Sequence, residues 1–348
     1  MLIETFDTSL SVQTLQLIFA LVLGLVFGAS AQASKFCLRR AVANEQGVNA
    51  SAMAVWLTAL GTAVVGFAAF NYVGLVETTG HRFQSSNIPL AAIVVGGLLF
   101  GAGMVLTRGC VSRLTVLSAT GNLRAVVVLA VFALIAHATL KGVFAPVRTA
   151  LGSFSIDVPS GVLAQSPFLA AAIGMLLLGV AGFLARKNDA RTVKLALGAL
   201  IGLVAAAGWS ATSILLMDEF DPLPVQSAAF TLPWSDTLFW FVASTSIPAG
   251  FGVGFVSGVL GGSFLSAALR GELELQSFET PAQTLRYGAG GVMMGFGGVL
   301  AGGCTVGAGL SGSAMLSVSA LIALTSIISG AVIMRRILMP STATEVAA

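Results

Sequence analysis

Charge is what this chain has least of. Of 348 residues, 17 are Lys or Arg and 14 are Asp or Glu, so charged residues make up 9%. A soluble domain carries about 25%, and that class is excluded. Histidine occurs twice and cysteine three times. No Cys-x-x-Cys spacing occurs, which leaves zinc held by thiolates without support, and no nucleotide-binding motif is present. No basic stretch precedes the first apolar run, and that run is long enough to span, so a cleavable leader is not expected. What the chain does have is 56% hydrophobic residues, 41 glycines and a mean hydropathy of +0.96.

A bilayer crossing needs about 20 apolar residues. The apolar runs fall at about 11–33, 48–73, 89–107, 123–140, 167–185, 193–217, 236–262, 287–302 and 315–334. The expected fold class is therefore an all-α integral membrane protein of about nine transmembrane helices, in a single transmembrane domain over 1–348. With the N-terminus outside and nine full crossings, 14 of the 17 Lys and Arg residues lie inside. Only Arg82, Lys141 and Arg148 lie outside, with the acidic Asp218, Glu219 and Asp221. Basic residues concentrate on the cytoplasmic side. The N-terminus is thus expected in the periplasm and the C-terminus in the cytoplasm. The surrounding partner is the lipid bilayer, and no nucleic-acid partner is expected.

The three cysteines share one pattern. Each falls nine residues after the second glycine of a Gly-x-x-x-Gly step: Gly24, Gly28, Cys37; Gly97, Gly101, Cys110; Gly291, Gly295, Cys304. A fourth step, Gly250 and Gly254, puts Ser263 at the equivalent place in a less secure register. Small residues let helices pack closely in lipid, which accounts for the glycines but not for their common offset to sulfur. The recurrence suggests a pseudo-symmetric site, with internal repeats at about 20–140 and 241–335.

The stretches after the cysteines do not read as ordinary loops. Cys110 opens CVSRLTVLSATGNLR, whose first ten residues suit a half-length helix; Gly121-Asn122 then marks a turn, and Asn122 can cap the next helix. Cys304 lies in GGCTVGAGLSG, too glycine-rich for a regular span and too apolar for an exposed loop. Irregular backbone at membrane depth persists only when buried in protein or lining a cavity. Broken or re-entrant half-helices near the midplane are expected, as in inverted-repeat transporters. Nine crossings bring the first two cysteines in from one side and Cys304 from the other, unless a re-entrant segment changes the count.

Such half-helix starts offer free N–H groups and partial positive charge to an anion. Arg108 and Arg113 add positive potential, and Arg113 can share a helical face with Cys110. A thiol beside cations has a lowered pKa and is a better nucleophile or hydrogen-bonding group. The candidate pathway residues are Cys37, Cys110, Cys304, Arg113, Gly109 and Gly303, with no catalytic residue, metal or cofactor expected. Arg39 and Arg40 read equally well as topology signals.

The segments GASAQASKFCLRRA, GAGMVLTRGCVSRLTVLSATGNLR and GGVLAGGCTVGAGLSG resemble those of the YeeE/YedE family of sulfur-compound transporters, from about residue 20 to 335. The resemblance implies thiosulfate uptake across the bacterial inner membrane, with functional cysteines that map onto Cys37, Cys110 and Cys304. It also implies a separate TusA-like sulfur carrier protein as a cytoplasmic partner. The proline-containing stretch 141–165 departs from the family's minimum. The alternative functions are a membrane sulfurtransferase that forms a cysteine persulfide and a transporter of a related sulfur or selenium compound. Transport is favoured because no general base with a partner stands near the cysteines.

Elsewhere, His81 reads as a solvated or capping residue and His137 as a hydrogen-bonding or packing group within the membrane. Trp56, Trp209, Trp234 and Trp240 read as interface anchors. Glu45 and Glu279 read as solvated or paired with arginine.

Overall fold

The structure, a computed structural model, describes residues 11–77, 81–158, 166–217 and 223–338. Asp218, Glu219, Asp221 and the 159–165 part of the outer stretch lie outside the described residues. The protein is helical, as composition requires. The long helices are α1 (Val12–Ser34), α3 (Ala50–Tyr72), α4 (Leu90–Leu106), α6 (Leu123–Lys141), α8 (Pro167–Lys187), α9 (Thr192–Ser210), α11 (Phe251–Leu269), α12 (Pro281–Leu300) and α13 (Val318–Leu338). Short helices α2 (Leu38–Val42), α5 (Val111–Ala119), α7 (Ala145–Gly152) and α10 (Thr231–Val242) lie between them. Among the described residues, and counted with their broken continuations, eight helical stretches are long and apolar enough to cross a membrane; α12 has the length but is less apolar. One two-residue pair, β1 (Asn87–Ile88) with β2 (Ile156–Asp157), ties two loops antiparallel.

Helix starts follow local chemistry. Ser11, Asn49, Asn122, Ser166 and Thr280 each accept a hydrogen bond from a first-turn N–H, and Pro167 and Pro281 occupy first helical positions. Asn122 caps α6 as its sequence suggested.

The glycine steps are contact surfaces. A Cβ added at Gly24 or Gly28 of α1 would strike the α11 carbonyls of Phe255 and Val259, and one added at Gly258 would strike Leu21 of α1. A Cβ added at Gly101 of α4 would strike the Ile327 carbonyl of α13, and one added at Gly96 or Gly103 would come within 2.5 Å of the Ala301 nitrogen, just past α12, or 2.7 Å of the Gly290 carbonyl of α12. In lipid, such backbone-to-backbone approach supplies the packing that holds helices together.

Two ends of the bundle can be told apart by contacts. At one, residues 120–123 hydrogen-bond with 274–276, and Gly47 lies against Arg335. At the other, Ser317 donates to the Phe83 carbonyl and Gln16 to the Leu216 carbonyl. We call these the basic end and the loop end. Helices α1 and α4 run toward the basic end and α12 runs toward the loop end, so the breaks at Cys37 and Cys110 enter from one side and that at Cys304 from the other.

The apolar run 236–262 is not one helix. It divides into α10 and α11 around 243–250, where Pro248, followed by Ala249 and Gly250, interrupts the pattern. Ser263 is likewise not a fourth break, because α11 runs through it unbroken and buries it fully. The fourth short helix of the core instead starts at Phe230, the residue that precedes α10. The tryptophans are not interface anchors as a group. Trp56 and Trp209 are buried, Trp209 donating to the Ser311 carbonyl at 2.9 Å, and Trp234 donates to Thr115 Oγ1 at 2.8 Å.

Candidate functional site

One backbone device recurs at all three cysteines. A long helix ends, and the residue two before the cysteine takes a left-handed conformation: Lys35 (φ 56°), Arg108 (φ 57°) and Gly302 (φ 74°). The cysteine then stands at or just before the start of a new helical segment. Cys37 precedes α2 and Cys110 precedes α5. The Cys304 carbonyl accepts the N–H groups of Ala308 and Gly309, opening the wide turn Gly307–Gly312. The left-handed residue ends one helical segment, so each thiol sits at a break between two of them. Gly109 and Gly303 adjoin these turns without themselves having positive φ.

The structure brings the three thiols into the interior. Cys37, Cys110 and Cys304 retain 7, 1 and 0% exposure, and all are free. Cys37 and Cys110 are neighbours in this interior. Cys110 Sγ lies 3.1 Å from Ser112 Oγ and is also within reach of Thr305, the residue after Cys304. Cys304 Sγ accepts from the Gly307 N–H at 3.3 Å, and the backbone of Phe230 faces the same sulfur. Phe230 packs with Phe27 and Phe255, at ring centroids 5.4 to 5.7 Å apart. Sulfur, hydroxyl and N–H groups therefore meet inside an aromatic collar. Among the described residues, no group of three His, Cys, Asp or Glu side chains is placed to hold a metal ion.

Two cavities approach this cluster from opposite ends. The cavity at the basic end, about 560 Å³, is lined by Gln32, Lys35, Arg113, Asn122, Glu272 and Glu274 among others. Arg113 reaches from α5 to Gln32 Oε1 at 3.4 Å, and Gln32 donates to Glu272 at 2.9 Å. The Arg113 charge also acts on the Cys37 and Cys110 thiols. The cavity at the loop end, about 430 Å³, is lined by His81, Arg82, Trp209, Gln226, Asp236 and Gly307 among others, and Gly307 is the residue whose N–H holds the Cys304 sulfur.

Sequence reasoning located the thiols and Arg113 but not Arg82, Gln32 or Thr305. Arg82 was counted only as an outside charge, and nothing in its local spelling shows that the 81–84 turn folds back over the Cys304 segment. Arg39 and Arg40 sit on α2, and Glu45 lies 3.9 Å from Arg108 with both side chains exposed. His137 contacts Ser235 Oγ at 3.0 Å and stacks on Phe239 at 4.7 Å, a hydrogen-bonding and packing role. His81 caps the 81–84 turn, with Nδ1 accepting the Phe83 N–H at 3.3 Å, and is partly buried rather than solvated.

Residues 33–333 match the family described as sulphur transport. Among characterised proteins, the chain is similar to a protein named thiosulfate transporter TsuA in Spirochaeta thermophila. The two are 26% identical over 324 residues, covering 87% of this chain and 93% of the relative. It is likewise similar to the protein of that name in Escherichia coli, 26% identical over 339 residues, covering 89% and 91%.

Proposed function

We propose that this chain, which belongs to the sulphur transport family, takes up thiosulfate through a pathway lined by Cys37, Cys110 and Cys304. One observation carries the reading: three buried thiols lie between two cavities at opposite ends of the bundle. The anion enters at the loop end, meets Cys304, passes to Cys110 and Cys37, and leaves beside Arg113. The thiols donate weak S–H hydrogen bonds to its oxygens and terminal sulfur, while neighbouring N–H and hydroxyl groups replace its water. No covalent bond need form, so the anion crosses intact. Gly109 and Gly303 lie at the turns where the ligand would pass close to backbone. The names of both relatives support thiosulfate as the substrate.

The halves are read as repeats of opposite orientation, about 20–140 and 241–335, each carrying half-helices that point to the midplane. The distribution of basic residues supports a basic end in the cytoplasm of a bacterial inner membrane, with the N-terminus periplasmic. A TusA-like carrier would then meet the protein at the basic end. A reporter active only in the periplasm should be silent when fused after Arg336 and active when inserted at 74–88.

Uptake of thiosulfate labelled separately in its two sulfurs tests the mechanism. Cys110→Ala and Cys304→Ala should each abolish or nearly abolish uptake at normal expression, and Cys37→Ala should have an equal or smaller effect. Both labels should accumulate together. In the competing sulfurtransferase, a thiolate attacks the terminal sulfur, the S–S bond breaks, sulfite leaves, and only the terminal-sulfur label stays on the protein as a persulfide. That outcome, or normal uptake by a well-expressed alanine variant, removes the thiol pathway.

A further inference from the structure

The loop-end cavity contains a cation that the thiol pathway leaves without a role. Arg82 occupies the first position of a tight turn, Arg82–Gln84, that is anchored on both sides. Ser317 Oγ donates to the Phe83 carbonyl at 2.6 Å. The buried Phe83 ring sits against Gly312, where an added Cβ would come within 3.0 Å of it. His81 Nδ1 accepts the Phe83 N–H at 3.3 Å. The turn is therefore fastened to the segment that carries Cys304, and Arg82 projects from a fixed base.

The guanidinium carbon lies 5.1 Å from the centroid of the Phe83 ring, within cation–π range. Its open surface faces the cavity. Among the described residues, no carboxylate lies within ion-pair distance of it; the two ion pairs formed are Arg108 with Glu45 and Arg270 with Glu272. A guanidinium that opens onto a cavity and has no carboxylate partner among the described residues is free to meet an anion, and its planar fork offers paired N–H groups to two oxygens at once.

Its neighbours fit the same ligand. Because His81 Nδ1 accepts a hydrogen bond, the neutral ring carries its proton on Nε2 and is a donor. Gln226 adds an amide to the lining. Asp236 also lines this cavity; burial raises its pKa and so disfavours its negative charge, and the nearby Lys141 of α6 acts in the opposite direction.

We propose that Arg82, with His81 beside it, forms an anion-capture site in the loop-end cavity, where an oxyanion such as the sulfonate-like end of thiosulfate binds before reaching Cys304. The proposal rests on the transport reading given above. The oxygens face the guanidinium, which leaves the terminal sulfur free to point toward the Cys304 thiol. Arg82 is thus a positioning residue that selects the orientation of the ion as it arrives.

The test measures initial rates of labelled thiosulfate uptake in cells or proteoliposomes at equal protein, for wild type, Arg82→Lys, Arg82→Gln and Cys304→Ala. Loss of one charge-assisted bond corresponds to about a ten- to hundredfold effect. Arg82→Gln should raise KM by about that factor with Vmax within about twofold, and Arg82→Lys should fall between it and wild type. Cys304→Ala should instead collapse Vmax. Equilibrium binding of labelled thiosulfate to purified protein should show the same order for the Arg82 variants. Wild-type uptake with an unchanged KM in Arg82→Gln overturns the capture site and leaves the transport reading standing. Failure of the wild type to take up thiosulfate overturns the transport reading and the capture site with it. Should Arg82→Gln not be recovered folded, Arg82→Lys decides, and an unchanged KM there overturns the proposal.

Discussion

Lys35 and Arg108 hold the same left-handed backbone conformation, with φ of 56° and 57°, each two residues ahead of a cysteine. Neither is glycine, so each carries a steric cost of about 1–2 kcal/mol. The surrounding helices hold that conformation in place: the Lys35 N–H bonds the Ala31 and Gln32 carbonyls, and the Arg108 N–H bonds that of Val105. At the third corner the same position is Gly302 (φ 74°), which takes it without that cost.

Arg108→Gly should therefore fold as well as wild type. It relieves backbone strain and gives up only an exposed, 3.9 Å ion pair with Glu45, worth about 0–1 kcal/mol. Arg108→Val puts a β-branched side chain into a conformation that excludes it and should destabilise by about 2 kcal/mol or more, displacing Cys110. Thermal melting in detergent, paired with uptake, compares the two. Equal behaviour of the Gly and Val variants would show that the turn does not need this geometry.

The helical class, most spans and the half-helix after Cys110 could be read from the sequence because each rests on local spelling: a long apolar run, a capping Asn122, a glycine step before a thiol. Other features depend on contacts distant in sequence. Arg82 joins the site only because Ser317 grips Phe83 from 234 residues away. Gln32 gains its role from Arg113 and Glu272 on other segments. The division of 236–262 into α10 and α11 was obscured because both halves are apolar, and apolar content does not report a reversal of direction. Ser263 matched the spacing of the cysteines, but of its Gly-x-x-x-Gly step only Gly254 packs against α1, and Gly250 has open space around it.

That packing makes a second contrast. Gly101→Ala drives a methyl into the Ile327 carbonyl of α13, whereas Gly179 of α8 has open space around its missing Cβ. The α4–α13 pair would have to separate, and overpacking of this kind costs about 1–3 kcal/mol. Gly179→Ala should be neutral or stabilising by up to about 1 kcal/mol. Equal melting temperatures for the two variants would mean that the α4–α13 approach is not needed for stability.

His81 supplies a pH-dependent signature. Burial, with a smaller effect of the Arg82 charge, pushes its pKa down to about 4 from an ordinary 6.5. The unfolded chain therefore takes up the proton first as pH falls. Its contribution to stability is complete above about pH 6.5, declines as pH drops toward 4 and is gone below that, at about 1.4 kcal/mol per pH unit. The drop in melting temperature from pH 7.5 to 5 should be smaller in His81→Gln than in wild type. Identical drops would place the ring in solvent.

Arg113 is the cation on the exit side, and it acts from a nine-residue helix whose start is the Cys110 corner. Its bond to Gln32 is long at 3.4 Å, while Gln32 is held more firmly by Glu272 at 2.9 Å. An arriving anion can therefore take the guanidinium without breaking a strong contact. Loss of one charge-assisted hydrogen bond costs about 1.5–3 kcal/mol, so Arg113→Gln should weaken thiosulfate binding by about ten- to hundredfold. Arg113→Lys keeps the charge and loses the planar fork, and should fall between Gln and wild type. Arg124, near the same end on α6 but with Gln276 at 3.5 Å as its contact, should tolerate Gln with less than a twofold change. Binding of labelled thiosulfate to the four proteins at equal concentration gives the order. If Arg113→Gln binds as wild type does, this arginine only sets topology, and the electrostatic account of the exit fails.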